Sequence, residues 1–91
     1  MTDRVARELV IHGHVQGVFF RAFVHDAAER AGVAGRAVNC GDGTVAVRLE
    51  GPADAVARVE RACGEGPRGA RVERVDAHDV APEGLRGFQT H

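Results

Sequence analysis

Between residues 7 and 32 the hydrophobic period changes once, from two to about 3.6, and the change falls in a short loop bounded by Gly13 and Gly17. Residues 7–12 alternate, with Leu9 and Ile11 on one face and Val10 on the other, which reads as a strand running straight into the Gly13 turn. From Phe20 to Ala31 the apolar positions Phe20, Phe23, Val24, Ala27, Ala28 and Ala31 mark one face of a helix, and Gly32 supplies its stop. Residues 35–40 and 44–50 flank Gly-Asp-Gly and form a hairpin, in whose second arm Val45, Val47 and Leu49 alternate with Ala46 and Arg48. Pro52 opens a second helix with Ala55, Val56, Val59, Ala62 and Cys63 on one side, and Gly64 is expected to end it. After a loop over residues 65–69, a last strand lies within residues 70–80. There Val72, Val75 and Ala77 share a face only through a bulge or a change of face. Pro82 to Gly84 makes a turn, and Phe88 anchors the short tail.

The resulting order, strand, helix, strand, strand, helix, strand, predicts an α+β fold, an α/β sandwich of the ferredoxin-like split βαβ kind. Its four-stranded antiparallel sheet carries both helices on one face and leaves room for a short C-terminal fifth strand. A chain of 91 residues supports one modest core, so residues 1–91 are read as a single domain. That fold hosts many functions and cannot carry a functional claim by itself.

The formal net charge of -1 gives no basic footprint, so neither nucleic acid nor a membrane surface is expected as a partner. RNA binding on the sheet face would also want aromatic residues, and the chain has no Tyr or Trp. All twelve basic residues are Arg, which removes a Lys nucleophile from consideration. Cys40 and Cys63 lack metal-site or redox spacing, and the first ten residues hold no apolar signal segment. A reducing, cytoplasmic setting with two inert thiols is the expectation, a disulfide the alternative.

The run Gly13 to Arg21, GHVQGVFFR, offers a glycine-bounded turn and then a cation at the start of a helix. A helix N-terminus repels a cation unless an anion or acceptor joins it, so Arg21 is out of place for stability alone. An anion held there would meet backbone N–H groups, the helix dipole and a forked guanidinium together. This run resembles the first signature of the acylphosphatases, small enzymes that hydrolyse carboxyl phosphate anhydrides. Gly35, Asn39, Gly43, Val45 and Gly51 resemble the second signature in spacing, and GPRGARV from Gly66 a weaker third element.

The resemblance implies that Arg21 is the phosphate-binding catalytic arginine and that Asn39 holds the attacking water. It also implies a phosphate-binding loop of His14, Val15, Gln16, Gly17, Val18 and Phe19, acting mainly through the main chain, with Gln16 the side chain that braces the loop or touches substrate. No cofactor and no metal are implied. The expected partners are small acyl phosphates and inorganic phosphate, met by a monomer. Two residues depart from the family pattern: Arg36 stands where an aromatic is usual, and Val38 where a polar or basic residue is common. The first bears on packing near the site and on preference among acyl groups; neither touches the phosphate grip or the water-positioning residue. The two departures are also the best support for an alternative, a non-catalytic phosphate- or carboxylate-binding module on the same fold. Another alternative is a piece of a larger carbamoyl-transfer machine of the kind found in hydrogenase maturation proteins. A metal site from His12 and His14 would need the strand to run through Gly13, and no third ligand stands at a suggestive spacing.

Overall fold

The computed structural model describes residues 3–91. Its elements are β1 (Arg4–His14), α1 (Phe20–Ala31), β2 (Ala34–Asn39), β3 (Val45–Pro52), α2 (Ala53–Glu65), β4 (Arg71–Val80) and β5 (Phe88–Thr90). The sheet order is β4-β1-β3-β2-β5, antiparallel except for β5, which runs parallel to β2. The expected split βαβ sandwich is therefore present, with the fifth strand formed.

The alternation in β1 and β3 aligns Leu9 with Val47 and Ile11 with Val45. This presents one continuous apolar face to Phe20, Val24 and Ala28 of α1 and to Val56, Val59 and Cys63 of α2. Phe88 joins the same cluster, so the tail is anchored as its sequence suggested. Cys63 is fully buried there, and that burial pushes its thiol up to about 12, while Cys40 is half-buried; both are free. No helix among the described residues is long and apolar enough to cross a membrane.

Two local features refine the sequence reading. In β4, His12 of β1 faces Arg74 and Gly13 faces Val72, so Glu73 is the extra residue of a bulge. Ile11 then faces Val75, and the bulge lets Val72 and Val75 reach the same core, while Ala77 stays exposed. The second helix does not end at Gly64. It continues to Glu65, and Gly66, at φ 72°, donates its N–H to the Ala62 carbonyl at 2.9 Å. The positive φ that closes a helix is thus adopted two residues later than the first available glycine.

Gly13 is held at φ 130°, and a Cβ there would run into the Arg71 carbonyl across the β1–β4 pair. Gly13→Ala is expected to cost on the order of 3 kcal/mol, because dihedral strain and a backbone collision add. Gly41→Ala, with an ordinary φ and open space around it, should fall within about 0.5 kcal/mol of the parent. Urea denaturation midpoints of the two variants check this contrast.

Because β4 and β5 occupy opposite edges, residues 81–87 must cross the sheet, and they do so on the face away from the helices. Two buried charges of β3 clamp this strap. The Glu50 carboxylate, 0% exposed, accepts N–H bonds from Glu83, Gly84 and Leu85 at 3.0, 3.1 and 3.1 Å. Arg48 donates to Glu50 at 2.9 Å, to Glu8 of β1 at 2.9 Å and to the Ala81 carbonyl. Every buried side-chain polar atom among the described residues has a partner, so the pair meets the condition for burying charge.

Candidate active site

The loop over residues 15–19 is fixed at three points. Val15 is 1% exposed and enters the core. The Gln16 amide donates to the Cys40 carbonyl at 2.8 Å and to the Thr44 carbonyl at 2.9 Å, tying the loop to the turn that joins β2 to β3. Val18 packs partly against the core. Between these anchors Gly17 takes φ 76°, and the loop ends at Phe19, the N-cap of α1, in a left-handed conformation with φ 62° and ψ 28°.

No side chain caps α1, and its first turn holds no acidic residue. The opening N–H groups of a helix have no acceptor within it, so Phe20, Arg21 and Ala22 present free main-chain donors. The Arg21 guanidinium bonds the main-chain oxygen of His91. That same oxygen accepts the Asn39 N–H at 3.4 Å, and the His91 N–H bonds the Ala37 carbonyl at 2.9 Å. One tail oxygen therefore links the first turn of α1 to the end of β2.

Around this link lies a pocket of about 340 Å³ lined by Val15, Gly17, Phe19, Phe20, Arg21, Ala22, Asn39 and Thr90. Its lining side chains include one cation, one amide and no carboxylate. Of the residues expected at the site, Arg21, Asn39, Val15, Gly17 and Phe19 come together here. Gln16 is spent as a brace, Val18 faces the core, and His14 is exposed outside the lining. A larger groove of about 610 Å³ lies between α2 and the β1–β4 pair. Its Arg7 is already engaged by Glu60 and Asp79, each at 2.6 Å, and the groove holds neither an asparagine nor a loop at a helix N-terminus.

Arg36 and Val38 correct an expectation. Strand period two puts them on the face opposite Asn39, where they line a cleft with Glu8 and Arg48, and Arg36 lies 3.8 Å from Glu83 of the strap. They do not pack against the pocket. The strand does run through Gly13, yet His12 Nε2 pairs with Asp76 at 3.0 Å and His14 is exposed. Sequence reasoning missed His91 and Thr90. A main-chain acceptor leaves no trace in residue type, and no motif marked Thr90.

Fold and pocket together define an α/β sandwich with a pocket formed by a loop and a helix N-terminus. Comparison with known proteins narrows this class. The acylphosphatase family profile matches residues 7–90. An acylphosphatase of a Nocardioides species is 48% identical over 85 residues, covering 93% of this chain and 86% of that protein. The structure of an acylphosphatase from Coxiella burnetii superposes with a TM-score of 0.94 at 28% identity, covering 98% of this chain and 94% of that one. Full-length HypF, in a phosphate- and nucleotide-bound form, matches with a TM-score of 0.92 at 25% identity, over 100% of this chain but 12% of its own. The chain belongs to the acylphosphatase family, and hydrolysis of small acyl phosphates is the activity that this membership supports.

Proposed function

We propose that the pocket hydrolyses acyl phosphates by direct attack of water on phosphorus, without a metal ion or a covalent intermediate. The phosphoryl group is held by main-chain N–H groups of the loop and of the first turn of α1, and by a two-pronged grip from Arg21. The Asn39 side-chain carbonyl accepts a hydrogen bond from the water and aims its lone pair in line with the P–O bond. The P–O bond to the acyl group breaks as the new one forms, and the electron pair leaves on a carboxylate, which is stable without a proton. The water's proton passes to a phosphoryl oxygen. An acyl phosphate dianion and water thus give a carboxylate and dihydrogen phosphate, with atoms and charge balanced.

Phosphoryl transfer asks a protein for positioning and for stabilisation of equatorial charge, and one Arg with oriented N–H groups supplies both. The observation that carries this reading is that Arg21 and Asn39, from separate elements, line one pocket without an Asp or Glu side chain and share the His91 oxygen. The binding-module alternative drew on Arg36 and Val38, which lie on the other face of the sheet. The working form is proposed to be a cytoplasmic monomer. Purified protein in excess EDTA is expected to convert benzoyl phosphate to benzoate and orthophosphate in equal amounts. Loss of turnover in EDTA, restored by a divalent cation, would overturn the metal-free reading. Saturable phosphate binding with no product would leave the binding module.

A further inference from the structure

Phe19 is the one large apolar side chain left in solvent among the described residues, at 85% exposed. It is also the one non-glycine residue there with a positive φ. The backbone turn opens α1, where the Phe19 carbonyl accepts the Phe23 N–H at 3.0 Å, but it does not call for a phenyl ring. An exposed ring buries no apolar surface, and a left-handed backbone strains any residue with a Cβ, whereas glycine takes it freely. What the ring does have is a place in the lining of the pocket that holds Arg21 and Asn39.

The lining divides by depth. Val15 and Phe20 are buried and form its floor, while Gly17, Phe19, Ala22, Asn39 and Thr90 are exposed and form its rim. An acyl phosphate has two unlike ends. In the reading above, its phosphoryl end is matched by N–H groups and the guanidinium, so the acyl end extends past the rim. Of the rim residues, Phe19 alone offers a broad apolar surface, and its flat ring can stack on a planar acyl group.

Resting on that functional reading, we infer that Phe19 is the residue that selects the acyl group, favouring acyl phosphates with an aromatic or bulky apolar acyl part over small ones such as acetyl phosphate. The strained backbone sets the ring at the rim, where the fold gains nothing from it and a bound acyl group covers it. The contact lies on the part of the substrate that departs as carboxylate, so it acts mainly on KM.

The test compares kcat/KM for benzoyl phosphate and acetyl phosphate in the parent, in Phe19→Gly, which suits the left-handed backbone, and in Phe19→Tyr, which keeps the ring. Inhibition by inorganic phosphate is measured alongside. The benzoyl-to-acetyl ratio is expected to fall about tenfold in Phe19→Gly, through KM for benzoyl phosphate, and to stay near the parent value in Phe19→Tyr. An unchanged ratio in Phe19→Gly would overturn the inference. So would an equal loss on both substrates with weakened phosphate inhibition, because the residue would then act through the loop backbone. If the parent hydrolyses neither substrate, the functional reading itself fails and takes this inference with it.

Discussion

Replacing Arg21 with Gln is expected to lower kcat/KM for benzoyl phosphate about a thousandfold while leaving thermal stability nearly unchanged. The size follows from what the guanidinium does in the proposed transition state, where removal of a dedicated charge donor typically costs about 10²–10³ in rate, and more where a full charge is lost. The insensitivity of stability follows from its position. Arg21 stands in the first turn of α1, where its charge is repelled by the helix dipole, and its bond to His91 is exposed. Arg21→Lys is expected to recover little activity, since an ammonium cannot grip two oxygens in one plane. Asn39→Ala, which removes the proposed water-holding amide and leaves the cation, is expected to lose about a hundredfold, chiefly in kcat. Steady-state kinetics beside melting curves check the whole pattern. A comparable loss of melting temperature in Arg21→Gln would mean that the residue supports the fold instead.

The largest stability effect is expected at Glu50, on the other side of the sheet. Burial alone would raise its carboxyl, but the N–H of Glu83, the Arg48 guanidinium and the N–H groups of Leu85 and Gly84 outweigh burial and hold it below its ordinary value of 4.5. Glu50→Ala leaves three N–H groups and the buried Arg48 without their acceptor, and is expected to cost about 3–5 kcal/mol. For a chain of this size that is a large share of the whole stability. A carboxyl depressed in the fold contributes stability that is fully present above its unfolded value and is lost as pH falls through the lower folded value. The parent should therefore lose this contribution as pH falls below about 4.5. Glu50→Gln, less stable at neutral pH, should lose stability less steeply. Denaturant unfolding across that pH range would show the difference in slope, and parallel slopes would contradict it. The damage should reach the pocket, because the strap feeds β5 and places Thr90 and His91 beside β2.

Legibility in the sequence followed the kind of interaction involved. Side-chain periodicity was readable: the six apolar positions of α1 and the stop at Gly32 agree with the helix observed, and the need for a bulge in β4 was visible because Val72 and Val75 could not otherwise share a face. Punctuation was less secure. Gly64 and Gly66 are both plausible stops, and which one closes α2 depends on backbone angles that residue type does not set. Arg48 and Glu50 lie on the face of β3 away from the helices, where the strap covers them. Nothing local in residues 81–87 announces that their N–H groups will meet a carboxylate from β3.

Arg21 and Asn39 were singled out through their motifs; the structure brings them to one pocket and adds the shared His91 oxygen, a main-chain atom that no motif encodes. The sidedness of Arg36 and Val38 was not drawn from the sequence, although strand alternation carries it. Counting by twos from Asn39 puts both on the opposite face, which separates these departures from the pocket.

The central claim, that water attacks phosphorus directly, is tested most directly by running the hydrolysis of benzoyl phosphate in ¹⁸O-labelled water and locating the label. The account predicts one labelled oxygen per orthophosphate and none in benzoate. Label in the benzoate carboxyl would place the attack at the carbonyl carbon and contradict the roles given to Arg21 and Asn39.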